Sequence, residues 1–297
     1  MLSQITLNQA ALTYINIIVA GLLTGCVYGL MALGLSVIFG VIRIVNFAHG
    51  EMMVLGMYGA VVLAGWPGID PLLAVPLIAA LLFVIGYALQ RGVINAFIGR
   101  PEHMQFILLV GFALMIANGL LMIFGPDARS TNVAYGFESF EVGPLLLDKA
   151  RVYAAGTAVL TMLALLGFFR YTRPGKAIRA CADNQLGAKV VGLDVDGLYA
   201  LTFGLGAACV GIAGCLMALV VDVRPQLAAE YTLLSFIIVI IGGLGSLAGA
   251  LLGGVLIGVS EALAGFFLLP SMKSMVSYAL LILVLVLRPQ GLLGKRA

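Results

Sequence analysis

Long apolar runs separated by short polar breaks make up nearly the whole chain, and the length of those runs sets the first constraint. They fall at about 12 to 42, 47 to 65, 71 to 95, 104 to 124, 150 to 169, 198 to 221, 228 to 242, 246 to 268 and 274 to 287. A helix needs about 20 mostly apolar residues to cross the hydrocarbon core of a bilayer. The pattern therefore predicts an all-α, polytopic transmembrane bundle of eight or nine spans. The first run is long for one straight span and the seventh is short, so each is a candidate for a break or a half-helix.

The polar breaks orient the bundle, because short cytoplasmic loops collect Lys and Arg. Arg170, Arg173, Lys176, Arg179 and Lys189 lie in one loop, and Arg288, Lys295 and Arg296 in the tail. Both segments belong in the cytoplasm. Counting back puts Arg91 and Arg100 inside as well, and leaves Trp66 to Pro71 and the N-terminus outside. The segment from Gly125 to Lys149, with four carboxylates against two basic residues, suits an external loop resting on the outer face. Nine crossings satisfy this charge placement and eight do not.

Composition agrees with a bilayer as the solvent: 62% of the 297 residues are apolar and 10% are charged, where a soluble domain has roughly 45–50% and 25%. Of the 38 glycines most lie inside the apolar runs, which indicates closely approaching helices rather than a linker. The expectation is one transmembrane domain over 1–297, in contact with membrane lipid. A net charge of +3 without a dense basic block gives a nucleic-acid partner no electrostatic footing. Cys26, Cys181, Cys209 and Cys215 form no CxxC pair, and Met1 to Ala11 lacks the basic start of a cleaved signal peptide, so the first run is expected to persist.

Glycine spacing is the clearest local pattern. Gly21, Gly25 and Gly29 recur every four residues, as do Gly245, Gly249 and Gly253, with Ala250, Gly254 and Gly258 beside them. Such stripes bring helix backbones together; tight packing alone and faces that slide past one another are both consistent with them. Val45 to Ala60 and Ile240 to Val255 look related, each following an apolar run and opening on a short break, with Gly50 matching Gly245 and Gly59 matching Gly254. This points to a duplicated architecture with discontinuous central helices.

Arg43, Asn46, His49 and Glu51 form the densest polar cluster beside a span, and Glu261 is the lone carboxylate inside a late one. Ionisable groups in a membrane usually face a cavity or a partner. The cluster is either part of a pathway or gate, or a solvated turn at the cytoplasmic boundary in which Asn46 or His49 caps the next helix. One His and one Glu are too few ligands for zinc.

Residues 171–196 are polar, basic and still patterned. Pro174 suits the first turn of a helix, Asp183 or Asn184 a cap, and Gly192 a C-terminal stop. Ile178, Ala182, Leu186 and Val190 fall four apart on one expected face, with Arg179, Asp183 and Lys189 elsewhere around the axis. The pattern describes a short amphipathic helix or helix pair, lying on headgroups or docking to a cytoplasmic protein. No GxxxxGK[ST] loop, HExxH or GxSxG occurs, so ATP hydrolysis and the familiar hydrolase arrangements have no residues here.

At this loop, GKAIRACADNQLGAKVVGL resembles the cytoplasmic coupling motif of ABC importer permeases. The run Gly21 to Ala60, the stretch IGGLGSLAGALLGG (Ile241 to Gly254) and the segment LRPQGLLG (Leu287 to Gly294) look like LivH-type permeases of branched-chain amino acid importers. The resemblance covers nearly the whole chain. It implies a subunit that is not itself an enzyme, in a bacterial inner membrane with its C-terminus in the cytoplasm. Its implied partners are a LivM-like second permease, two cytoplasmic ATP-binding subunits that carry ATP and Mg, and a periplasmic or surface substrate-binding protein. Carried over by position, Arg179, Ala180, Asp183, Asn184, Gly187 and Gly192 lie in or beside the coupling helix. Asn46, His49, Gly50 and Gly245 lie near the pathway, where Glu51 and Glu261 are the candidate carboxylates. Members of the family carry branched-chain and other amino acids, urea, short amides and aromatic acids. Two rival readings are an ion-coupled secondary transporter using Glu51 and Glu261, and a passive channel through the Gly-rich core; gradient-driven uptake or ATP-independent flux would mark them.

Overall fold

The computed structural model describes residues 2–66, 69–131 and 133–294. Met1, Pro67 and Gly68 of the first polar turn, Asn132, and the basic residues Lys295 and Arg296 lie outside the described residues. In chain order the helices are α1 (Leu2–Ile42), α2 (His49–Ala64), α3 (Pro71–Gly92), α4 (Glu102–Phe124), α5 (Lys149–Tyr171), α6 (Arg173–Asp183), α7 (Gln185–Val190), α8 (Val195–Met217), α9 (Leu227–Gly242), α10 (Leu247–Phe267) and α11 (Lys273–Leu287). A short antiparallel hairpin, β1 (Ser139–Val142) with β2 (Leu145–Asp148), interrupts the helical pattern between α4 and α5.

All nine apolar runs are helices. Six of these (α1, α3, α4, α5, α8 and α10) are long and apolar enough to cross a membrane, while α2, α9 and α11 have 16, 16 and 15 residues. The expected break inside the first run is absent: α1 is continuous through Ile42. The break follows it, at residues 43–48, where Arg43 adopts φ 60 and the chain runs without helix until His49. The short seventh run stays a short helix. Local signals explain most ends. The Asp70 carboxylate accepts from Leu72 N at 2.8 Å and Pro71 opens α3. Asp148 caps α5 and Ser246 caps α10 in the same manner, as short polar side chains do for orphan amides.

Packing follows the glycine stripes. The two stripes Gly21/Gly25/Gly29 and Gly254/Gly258 face each other across α1 and α10, so closely that a Cβ on Gly25 would stand 2.7 Å from the Val255 Cα. The other edge of α10 meets α9, with Gly253 against the Ile238 carbonyl. Contacts among the central helices exchange in pairs. α1 lies along α10 as α3 lies along α8, α1 touches α8, and α2 touches α9. Swapping α1 with α8, α2 with α9 and α3 with α10 maps this pattern onto itself. The two stretches matched in sequence do not occupy corresponding places in it: Val45 to Ala60 is the break before α2 and most of α2, whereas Ile240 to Val255 is the end of α9, a turn and the first half of α10.

The segment between α4 and α5 is folded down onto helix ends. Tyr135 donates its hydroxyl to Asp70 at 2.8 Å, and burial together with that bond pushes its phenol pKa up. Thr131 donates to the Ala218 carbonyl at 2.7 Å, Arg129 and Val223 exchange backbone bonds, and Leu146 N reaches Asn16 Oδ1 at 3.2 Å.

Candidate functional site

Two places gather the residues expected to act. The first is the start of α2. No local side chain caps this helix; its orphan amides are met from elsewhere. Gly50 N donates to Thr232 Oγ1 of α9 at 2.9 Å, and Thr232 Oγ1 donates onward to Glu51 Oε2 at 3.1 Å. Asn46 Oδ1 accepts from Ala48 N at 3.1 Å and so holds the turn that leads into the helix. His49 Nε2 lies 3.0 Å from the Met31 carbonyl of α1, while its Nδ1 has no hydrogen-bond partner among the described residues. Asn46, His49, Gly50 and Glu51 are all buried, His49 at 0% exposure. The solvated-turn reading therefore fails for Asn46, His49 and Glu51, and holds only for Arg43, which is exposed.

Gly50 is required here for space. A Cβ on it would land on the Ala228 carbonyl oxygen and the Thr232 hydroxyl. The first turns of two short helices thus abut, backbone against backbone, and the polar groups between them are wired to one another rather than to water. Buried polar groups are retained only when paired in this way.

The remaining residues of the expected pathway set stand apart. Gly245 is exposed in the turn between α9 and α10, at φ +79, with its Cα side against Gly40 at the end of α1. Glu261 is half-buried and accepts from Tyr28 at 3.1 Å and Ser277 at 2.9 Å, which ties α1, α10 and α11 together. Thr232, Tyr28 and Ser277 were not anticipated. Each is a lone hydroxyl in an apolar run, and no local pattern announces a partner far away in the chain.

The second place is the helix pair α6–α7. Thr172 accepts from Gly175 N and starts α6, with Pro174 in its first turn. Asn184, not Asp183, is the second cap, accepting from Gly187 N at 2.8 Å, and Gly192 at φ +84 ends α7. Asp194 then caps α8; the Gly197 amide, with Arg91 at 3.4 Å adding to it, holds its carboxyl below the usual range. The four-residue spacing from Ile178 to Val190 does not form one face. Asn184 interrupts the helix, so Ile178, Cys181 and Ala188 are buried, whereas Leu186, Val190 and Val191 are 74, 80 and 75% exposed. Arg179, Ala180, Asp183, Asn184 and Gly192 are exposed and Gly187 is half-buried. The result is a projecting apolar knuckle with charges around it.

A glycine-packed helical bundle that carries a polar centre between two short helices and a projecting helix pair at one end is a multi-pass membrane permease in architecture. Residues 17–285 match the family described as the permease component of the branched-chain amino acid transport system, and the chain belongs to that family. It is 31% identical to the high-affinity branched-chain amino acid transport system permease protein LivH of Salmonella typhimurium (strain LT2), over 97% of this chain and 98% of the relative. It is 30% identical to the corresponding protein BraD of Pseudomonas aeruginosa, over 95% and 96%, and 26% identical to LivM of Escherichia coli (strain K12), over 99% of this chain and 71% of the relative. No solved structure matches it.

Proposed function

We propose that the chain is the permease subunit of an ATP-driven importer of branched-chain amino acids or a closely related small solute, spanning the bacterial plasma membrane as one domain. Family membership over residues 17–285 is the observation that carries this reading. All nine apolar helices lie in the membrane, with the N-terminus outside and the tail and α6–α7 in the cytoplasm, an arrangement that the basic residues favour. The exchangeable contacts of α1–α3 and α8–α10 support a duplication of inverted topology.

Two cytoplasmic ATPases, which bring ATP and Mg, dock on α6–α7. Leu186, Val190 and Val191 supply the apolar anchor, and Arg179, Ala180, Asp183, Asn184, Gly187 and Gly192 shape the surface around it. Likeness to both LivH and LivM proteins supports pairing with a second, related permease. A substrate-binding protein delivers cargo from outside. ATPase closure then moves α6–α7, α5 and α8 carry the motion inward, and the contact between α2 and α9 at Gly50, Glu51 and Thr232 changes which side is open. His49, Asn46 and the glycine seams hold the moving parts; Gly245 and Glu261 act at the edges of this core.

Leu186→Asp combined with Val190→Asp tests the coupling, since both side chains already face outward and the fold is spared. Co-purification from mild detergent should lose the ATPases and keep the second permease, and leucine uptake in proteoliposomes should vanish. Normal uptake by that variant would remove α6–α7 from the mechanism. Purification of the unaltered chain alone or only with itself would overturn the importer reading.

A further inference from the structure

A crevice of about 550 Å³ opens beside the start of α9, lined by Ala128, Val220, Val221, Asp222, Arg224, Leu227 and Tyr231. Volumes of this order suit small-molecule sites. Its charged residues are arranged by the backbone. Val223 is paired with Arg129 through bonds of 3.0 and 2.7 Å and is fully buried. In an extended segment successive side chains point to opposite sides, so Asp222 and Arg224 both face away from Val223, into the crevice that they line. Their Cα atoms are then about 7 Å apart. Among the described residues neither joins an ion pair.

We infer that this crevice is an entry site that recognises both ends of a zwitterionic amino acid, Arg224 taking the carboxylate, Asp222 the ammonium group, and Val220, Val221 and Leu227 the branched side chain. The inference deepens the importer reading and rests on it, because the crevice faces outside only in the orientation proposed above. A guanidinium and a carboxylate held side by side over an apolar wall are complementary to a small apolar α-amino acid and to few other solutes. Two of the crevice's lining residues, Leu227 and Tyr231, belong to the first turns of α9, and Thr232, one residue past Tyr231, is the group bonded to Gly50 and Glu51.

The test uses the complete transporter in proteoliposomes, with internal ATP and leucine-loaded binding protein outside, reading uptake and ATP hydrolysis together. Arg224→Gln and Asp222→Asn should each lower leucine uptake about tenfold, the scale of one charge-assisted hydrogen bond, while ATPase stimulation stays within about twofold. Arg224→Lys should recover most of the uptake. Unchanged uptake in both neutral variants overturns the site. A parallel fall of uptake and ATPase stimulation also overturns it, since the charges would then be meeting the delivering protein rather than the cargo. Absence of ATP-driven uptake in the unaltered complex would instead sink the importer reading.

Discussion

Two places where the chain leaves helix inside its apolar body are built on opposite principles. The break before α2 is held by side chains: Asn46 shapes the turn, His49 reaches α1, and Glu51 with Thr232 of α9 closes the helix start. The end of α9 is completed by backbone, and a side chain enters only at Ser246, which starts α10. Gly243 and Gly245 take φ +104 and +79, and the segment after α11 lays its own amides on the free carbonyls of α9, Leu292 N on Ile241 and Leu293 N on Gly242. One junction tolerates no loss of a polar partner, and the other depends on positions that have no side chain. A helix start and a helix end pose different problems, since one leaves donors unmet and the other acceptors.

That contrast can be broken most forcefully at Gly50. Gly50→Val drives carbons into the Ala228 carbonyl, and overpacking against rigid backbone should cost at least about 3 kcal/mol; the yield of monodisperse protein after detergent extraction should collapse. Next comes Glu51→Ala, which strands the Thr232 hydroxyl at a cost of about 1–3 kcal/mol. Thermal unfolding in detergent should show the drop, with Glu51→Gln recovering most of it because an acceptor oxygen remains. At the other junction Gly245→Ala meets a left-handed backbone and should cost about 1–2 kcal/mol, seen as a lower midpoint in the same melting series. Smallest of all is Leu244→Ser beside it: exposed at 52%, it should change stability by under about 0.5 kcal/mol. If Leu244→Ser proved worse than Gly245→Ala, the second junction would not be a backbone device.

How much of this the sequence foretold depends on the range of the interaction. Run length placed all nine apolar helices, because spanning length is a local property; the largest miss is the start of α1, which begins at Leu2 rather than near residue 12. Caps such as Asn184 and stops such as Gly192 were legible for the same reason, as was the facing of Gly21, Gly25 and Gly29 toward another helix. The continuity of α1 was not: its length suggested a break, and the single helix makes sense only once α10 is seen packing on Gly21, Gly25 and Gly29 and α8 on Gly34. The face drawn from Ile178 to Val190 failed because periodicity was carried across a cap, and Asn184 resets the helix. Thr232 escaped notice since its partners lie 182 and 181 residues away. The matching of Gly50 with Gly245 compared a helix start with a helix end, alike in letters and different in the groups left unmet.

The strap formed by Leu292 and Leu293 also bears on the order in which the protein is made. The ribosome emits α9 first, then α10 and α11, and only afterwards the residues whose amides complete the end of α9. Two carbonyls at that junction, on Ile241 and Gly242, therefore wait until the chain has been made as far as Leu292 and Leu293 before their partners exist. Insertion of the last three helices becomes a single event that closes only when the chain doubles back on itself, and a stop codon placed just after Leu287 would spare every helix yet leave that event unfinished.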